Sequence, residues 1–157
     1  MKILVTLALT MALAAGPAGA ESPSPPAAPV YDADLAQKLG ADDYGMRSYV
    51  LVILRTGPTP VPKGPERDAM FKGHFANMER LAAEGRLVIA GPFGQPAGDW
   101  RGLFIFDVKT IDEAKALTET DPVIKSGEML AEYHPWYGSA ALKLVNEAHS
   151  KVQKKGS

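Results

Sequence analysis

The chemistry that this sequence could perform rests first on its three histidines, His74, His134 and His149. His74 lies four residues from a methionine on either side, so it shares the apolar stripe of a predicted helix over residues 66–84. An imidazole held between that helix and a sheet would have restricted solvent and a tunable pKa, which suits general acid–base catalysis. A core histidine with one satisfied hydrogen bond is the structural alternative.

Asp121 is the second candidate, because it could act as a partner for His74. It precedes Pro122, and an aspartate followed by proline suits the N-cap and the first position of a short helix. As a functional group, the carboxylate would accept the imidazole N–H, fix the tautomer and raise the basicity of the ring. The topology predicted below allows the contact, although sequence spacing does not establish it, and an ordinary cap is the structural alternative.

Five further residues are candidates for binding a substrate. Arg67 lies two turns before the helix histidine and could bind a carboxylate or phosphate, or remain a solvated first-turn arginine. Gly91, Pro92 and Phe93 end a predicted strand, where the backbone could approach a ligand or form an ordinary turn. Trp136 could line a pocket or pack at an interface or in the core.

Composition and missing motifs exclude several classes of chemistry. The chain has no cysteine, which removes disulfides, thiolate zinc sites, iron–sulfur clusters and a cysteine nucleophile. No HxH or HExxH arrangement, nucleotide-binding loop or GxSxG setting is present, so no metal site and no cofactor is expected. A formal charge of −1 in 157 residues argues against nucleic acid as a partner.

The hydrophobic pattern predicts an α+β fold with the element order β-α-β-β-α-β. Strands are predicted over 48–55, 86–90, 102–108 and 128–135, and helices over 66–84 and 110–120, the latter opened by a Thr110–Glu113 capping box. A marginal helical arm, ending at Gly40, precedes them, and a C-terminal helix is predicted over 139–152. Split βαβ topology gives a ferredoxin-like, four-stranded antiparallel sheet with both helices on one face. A second subunit is the natural cover for the bare face, which predicts a homodimer.

The first twenty residues have the layout of a secretory signal peptide. Lys2 precedes an apolar run, and Ala18-Gly19-Ala20 resembles a cleavage site. We therefore predict a signal peptide over 1–20, a proline-rich lead and arm over 21–47, a domain over 48–137 and a helical extension over 138–157. The mature chain would be exported, with the bacterial periplasm as the expected compartment and no membrane contact after cleavage.

Two stretches together resemble the YCII-related (YciI-like) family. They are HFANMERLAAEGRLVIAGPFG, which begins at His74, and FDVKTIDEAKALTETDPVIKSGEMLAEYHPW, which contains Asp121 and ends at Trp136. The resemblance covers about residues 48–137. It implies a dimeric α+β barrel of ferredoxin-like subunits and a histidine–aspartate dyad in a pocket, here His74 and Asp121. It also implies that the protein is related to a dehydrochlorinase that acts on chlorinated hydroxyquinols and, through the wider fold, to muconolactone isomerase-like enzymes.

The expected function is cofactor-independent proton transfer. His74 would remove a proton from a small, cyclic or oxygenated substrate, and Asp121 would orient the imidazole and stabilise its cation, giving isomerisation or elimination. Two alternatives stay open. One is a non-catalytic periplasmic module that binds a small ligand in the same pocket, and the other is a haem-binding or oxygenase-like barrel with His74 as ligand.

Overall fold

The computed structural model describes residue 28, residues 30–94 and residues 98–154. The predicted signal peptide and the beginning of the proline-rich lead lie outside the described residues. Every helix and strand described below belongs to the compact unit Asp32–Ser157. Within the described ranges, no helix combines the length and the apolar character needed to cross a membrane.

The four strands and the two helices that connect them in the predicted pattern, α2 and α3 below, follow the predicted order. The strands are β1 (Met46–Thr56), β2 (Leu87–Pro92), β3 (Trp100–Phe106) and β4 (Met129–Ser139). The helices are α1 (Ala33–Leu39), α2 (Pro65–Ala83), α3 (Ile111–Thr118), α4 (Pro122–Lys125) and α5 (Val145–Val152), with a 3₁₀ helix over Ala140–Leu144. The sheet order is β2-β3-β1-β4, and each neighbouring pair is antiparallel. The predicted ferredoxin-like α+β fold with a C-terminal helix is therefore confirmed.

Local sequence signals explain where the helices begin and end. Pro65 occupies the first turn of α2, where its missing N–H is not needed, and two acidic residues follow it. The predicted capping box of α3 is confirmed: the Glu113 amide donates to the Thr110 hydroxyl at 3.2 Å, and the Thr110 amide donates to the Glu113 carboxylate at 3.0 Å. The predicted arm forms α1, which ends at Gly40 in the left-handed conformation (φ 66°).

The sheet has two apolar faces with different covers. One face packs against α2, α3 and α4. The core between this face and the helices includes strand residues and helix residues: Val50, Val52, Leu54, Leu81, Phe104, Phe106, Ala114 and Val123. The other face carries a smaller cluster formed by Tyr49, Val88 and Ile105, with Leu51, Ile89, Leu103, Trp136 and Leu142 packed around it. Leu142 comes from the 3₁₀ helix, so the C-terminal extension contacts this second face.

The end of the sheet differs from the prediction. The fourth strand was expected to stop at Pro135, but β4 continues to Ser139, and α5 begins only at Val145. Pro135 lies opposite Val50 in the ladder. Since β4 is one of the two outer strands of this sheet, it accommodates a residue that lacks a backbone N–H, and proline does not end it.

Candidate functional site

The structure brings His74 and Asp121 together between α2 and the start of α4. His74 lies in the middle of α2, and Asp121 is the N-cap of α4. One carboxylate oxygen, Oδ1, accepts the backbone N–H of Val123 at 3.1 Å, as the Asp-Pro sequence predicts. The other, Oδ2, lies 2.7 Å from Nδ1 of His74. The capping role and the contact with His74 therefore coexist, one on each oxygen.

The pair is buried, and the imidazole is its outer member. The side chain of His74 is 8% exposed and that of Asp121 is 1% exposed. Three phenylalanine rings surround the imidazole, with ring centroids at 6.0 Å for Phe71, 5.4 Å for Phe75 and 6.1 Å for Phe104. Phe104 belongs to the sheet face that α2 covers, whereas Phe75 is half-exposed. The imidazole thus lies in an apolar, largely dry environment.

This arrangement determines which imidazole nitrogen can act on a substrate. When the Asp121 carboxylate is ionised it can only accept a hydrogen bond, and the contact then requires the proton of the neutral ring to be on Nδ1. Nε2 then holds the free lone pair, and among the described residues none hydrogen-bonds it. A buried carboxylate also stabilises the imidazolium that forms when Nε2 takes a proton. The pair therefore has the parts of a general base.

Arg67 is engaged by the protein itself. Its Nη1 forms an ion pair with Oε1 of Glu128 at 2.7 Å and donates to the backbone oxygen of Val61 at 2.7 Å. Its guanidinium carbon lies 4.8 Å from the ring centroid of Phe71, which in turn packs edge-on against His74. Arg67 thus lies on the His74 side of α2 and contacts the ring cluster through Phe71.

The other predicted binding residues lie on β4 and at or just after the end of β2. Gly91 and Pro92 end β2, and the Phe93 ring packs on Trp100 with centroids 5.4 Å apart. Trp136 lies opposite Tyr49 in the ladder, and their rings are 5.8 Å apart. Because Tyr49 belongs to the second face of the sheet, Trp136 is on the side away from α2 and His74.

The remaining histidines do not join the pair. His134 is half-exposed, and its Nε2 lies 2.9 Å from Glu132. His149 lies on α5, where it lines a groove of about 510 Å³ with Met78 and Asn146. In the part of the chain that the structure describes, no three His, Asp or Glu side chains are grouped so that they could hold a metal ion.

A second cavity, of about 400 Å³, lies beside the turn that follows α1. His74 and Asp121 line neither of them.

Two polar residues at the site were not predicted from the sequence. Glu128 is 2% exposed and accepts both Arg67 and the backbone N–H of Val61. Asn77 is 8% exposed, and its Oδ1 accepts the hydroxyl of Thr120 at 2.8 Å. The signal for Asn77 was its place three residues after His74, which puts both side chains on one side of α2. For Glu128 the sequence holds no comparable signal.

Comparison with known proteins relates this site to a family. The profile of the YCII-related domain matches residues 48–136, more than half of the chain. This protein belongs to the YCII-related domain family. The matched range contains both members of the His74–Asp121 pair, and it confirms the family resemblance found in the sequence.

Individual relatives of this YCII-related protein include a curated sequence and a solved structure. The uncharacterized protein YjpA of Bacillus subtilis (strain 168) is 31% identical over 64 residues, which cover 41% of this chain and 72% of YjpA. The solved structure is 5-chloro-2-hydroxyhydroquinone dehydrochlorinase (TftG) from Burkholderia phenoliruptrix AC1100 in complex with 2,5-dihydroxybenzoquinone. It has 25% sequence identity and a TM-score of 0.40, and the match covers 55% of this chain and 92% of that chain.

Proposed function

We propose that this YCII-related protein is a cofactor-independent acid–base enzyme, of the isomerase or lyase type, that acts on a small molecule. The hydrogen bond between Nδ1 of His74 and Oδ2 of Asp121 carries the proposal. A carboxylate and an imidazole joined in a dry site form a base whose tautomer is fixed and whose cation is stabilised. Both residues lie inside the range that the YCII-related domain matches, so the pair belongs to the family domain and not to an extension of it.

The proposed step is removal of a proton from the substrate by Nε2 of His74. The electron pair left on the substrate then takes one of two routes. In an isomerisation, the imidazolium returns the proton to a different atom of the substrate. In an elimination, the electron pair forms a double bond and expels a leaving group, and the imidazolium later releases its proton to water. Asp121 keeps Nδ1 protonated throughout, and no redox step is needed.

Access to the base passes through the aromatic side chains. Phe75 is 49% exposed and lies 5.4 Å from the imidazole, centroid to centroid, so its movement would uncover the ring. Phe71 and Phe104 would then present apolar surface to the substrate. The site therefore suits a small, flat molecule with an acidic C–H or O–H bond, which these rings can contact by stacking or edge-on packing.

Proton exchange in deuterium oxide tests the proposal without knowledge of the final product. The protein would be incubated with a panel of cyclic ketones, lactones and hydroxyquinones, and loss of substrate C–H signals would be followed by NMR. We expect exchange on at least one compound, reduced on the order of 10²- to 10⁴-fold by His74→Ala and by Asp121→Asn. His134→Ala is the matched control, because this half-exposed histidine also contacts a carboxylate.

A non-catalytic binding module is the second candidate, because neither of the two cavities described above is lined by His74 or Asp121. In that case the same panel would show ligand binding by calorimetry with no exchange, and Asp121→Asn would leave the affinity unchanged. Exchange that survives in His74→Ala, with the fold intact by circular dichroism, would contradict the enzyme proposal.

We also propose that two copies pair through the second face of the sheet. Leu51 and Leu103 on that face remain partly exposed, and Leu130 in the outer strand is 51% exposed. Sedimentation equilibrium should give the mass of a dimer, and Leu51→Glu should give a monomer. The matched control is Val152→Glu on α5, where an 80% exposed side chain should tolerate the charge. A monomeric wild type would contradict the pairing.

Export is part of the proposal, and the first twenty residues support it by their sequence. Expression of the full chain in a bacterium should yield a mature protein that begins at Glu21. Mass spectrometry of the N-terminal peptide measures this directly, and an intact Met1 terminus in the cytoplasmic fraction would contradict it.

A further inference from the structure

The residue before His74 is a glycine in the middle of a helix, and it faces the residue that follows Asp121. A Cβ atom placed on Gly73 would lie 2.9 Å from Cγ of Pro122. Real Cβ atoms do not come that close to a rigid ring carbon, so α2 and α4 can pack at this distance only because residue 73 lacks a side chain. An interior glycine makes the free energy of forming α2 about 1 kcal/mol less favourable than alanine would. The close packing against Pro122 is a reason for its presence.

A second contact lies one turn further along α2. The buried Oδ1 of Asn77 accepts the hydroxyl of Thr120 at 2.8 Å, and it also accepts Nη2 of Arg80 at 2.8 Å. Nη2 of Arg80 reaches the Thr120 hydroxyl as well, at 3.2 Å. Thr120 immediately precedes Asp121. The residues on both sides of Asp121 are therefore held against α2, one by close packing and one by a hydrogen bond.

We propose that Gly73 and Asn77 are positioning residues that set the distance between Asp121 and His74. The inference rests on the proposed function, since it assigns a purpose to that distance, but the geometry it describes can be measured without any substrate. The short helix α4 has four residues and cannot fix its own location. The burial of Val123 holds α4 in the core, and these contacts with α2 set how closely it and the Asp121 carboxylate approach His74.

The expected effect of a methyl group at position 73 follows from the contact distance. The gap between Cβ and Pro122 would have to widen by about 0.5 Å, from 2.9 Å to the 3.4 Å of ordinary contact. If the same shift moves Asp121, its separation from Nδ1 grows from 2.7 Å to about 3.2 Å. That value is at the long end of the range for an N–H···O hydrogen bond, so the carboxylate would favour the Nδ1–H tautomer less strongly.

Nitrogen-15 NMR of the His74 ring measures that control directly, because the two neutral tautomers have different nitrogen shifts. We expect the Nδ1–H tautomer in the wild type and a mixture of tautomers in Gly73→Ala and in Asn77→Ala. Pro122→Ala removes the ring carbon, so Gly73→Ala/Pro122→Ala should restore the wild-type tautomer. Pro122→Ala alone should keep it.

Asn146→Ala is the matched control for Asn77→Ala. Asn146 also ties two elements together, through its bond to the backbone oxygen of Leu87 at 2.9 Å, but it lies on α5. It should lower stability and leave the His74 tautomer unchanged. A wild-type tautomer in both Gly73→Ala and Asn77→Ala, or a double variant that is not restored, would overturn the proposal. Failure of the deuterium exchange assay alone would overturn the enzyme function and leave the positioning result intact.

Discussion

The ion pair between Arg67 and Glu128 leads to a prediction about stability that separates a structural arginine from a substrate-binding one. The Glu128 carboxylate is 2% exposed and accepts the Arg67 guanidinium at 2.7 Å and the Val61 amide at 2.6 Å. The side chain of Arg67 retains 22% exposure. Loss of either partner leaves the other without its counter-charge, but the carboxylate is the more deeply buried of the two.

The burial difference sets the expected order of the effects. Arg67→Met should lower the free energy of unfolding by about 3–5 kcal/mol, because it leaves the buried Glu128 carboxylate without a counter-charge. Methionine keeps the apolar packing on Phe71, so the loss reports mainly on the charge. Glu128→Gln should cost less, about 1–2 kcal/mol, since the amide oxygen still accepts a hydrogen bond and Arg67 is partly solvated.

Urea unfolding followed by circular dichroism measures these losses. With a slope of about 2 kcal/mol per molar urea, Arg67→Met should lower the midpoint by roughly 1.5–2.5 M. The double variant Arg67→Met/Glu128→Gln should be more stable than the sum of the single losses implies, by about 0.5–3 kcal/mol. Losses that add within about 0.5 kcal/mol would refute the coupling. Equal stability of Arg67→Met and wild type would return Arg67 to the list of ligand-binding candidates.

Three further predictions concern local features of the fold. Thr110→Ala should lower the free energy of unfolding by about 1 kcal/mol in urea, because the N-cap acceptor of α3 is lost. The backbone N–H of Lys109, followed by the Thr110 hydroxyl, lowers the pKa of Glu113, so its contribution to stability is present above its unfolded pKa and is lost as pH falls through the folded pKa. Glu113→Gln should therefore show a shallower fall in stability between about pH 5 and pH 3 than the wild type. Burial raises the pKa of Tyr49, so in an alkaline ultraviolet titration its phenol should ionise at a higher pH in the folded protein than in the unfolded chain, and stability should fall as pH rises beyond the unfolded pKa. Ionisation of Tyr49 at the same pH in the folded and the unfolded protein, an unchanged acid limb in Glu113→Gln or full stability in Thr110→Ala would each contradict the corresponding argument.

The fold was predictable because its signals are local. The apolar run of β1, the three- and four-residue spacing along α2 and the capping box at Thr110 each act within a few residues, and together they specify the element order. The length of β4 was not predictable, because proline at position 135 is acceptable only in an outer strand, and strand order is a property of the whole sheet.

The candidate site was predictable only as far as residue types and faces allow. His74 on the buried side of α2 and Asp121 as a cap both follow from sequence, and the topology places both helices on one side of the sheet. The partner of Arg67 did not follow, because Glu128 lies far along the chain and only tertiary packing brings the two side chains together. The side of the sheet on which Trp136 lies depends on the register between β4 and β1, since a shift of one residue would exchange the faces.

The size of α4 has a consequence for the dynamics of the site. A helix of four residues has too few internal hydrogen bonds to persist when detached, so the free energy that keeps Asp121 in place is a docking free energy. Residues 120–127 can then open as a unit while the sheet stays folded, as a local unfolding event. Hydrogen exchange at the Val123 amide, which Asp121 caps, would report this opening. The contact between His74 and Asp121 would thus form and break on its own timescale, separate from that of global unfolding.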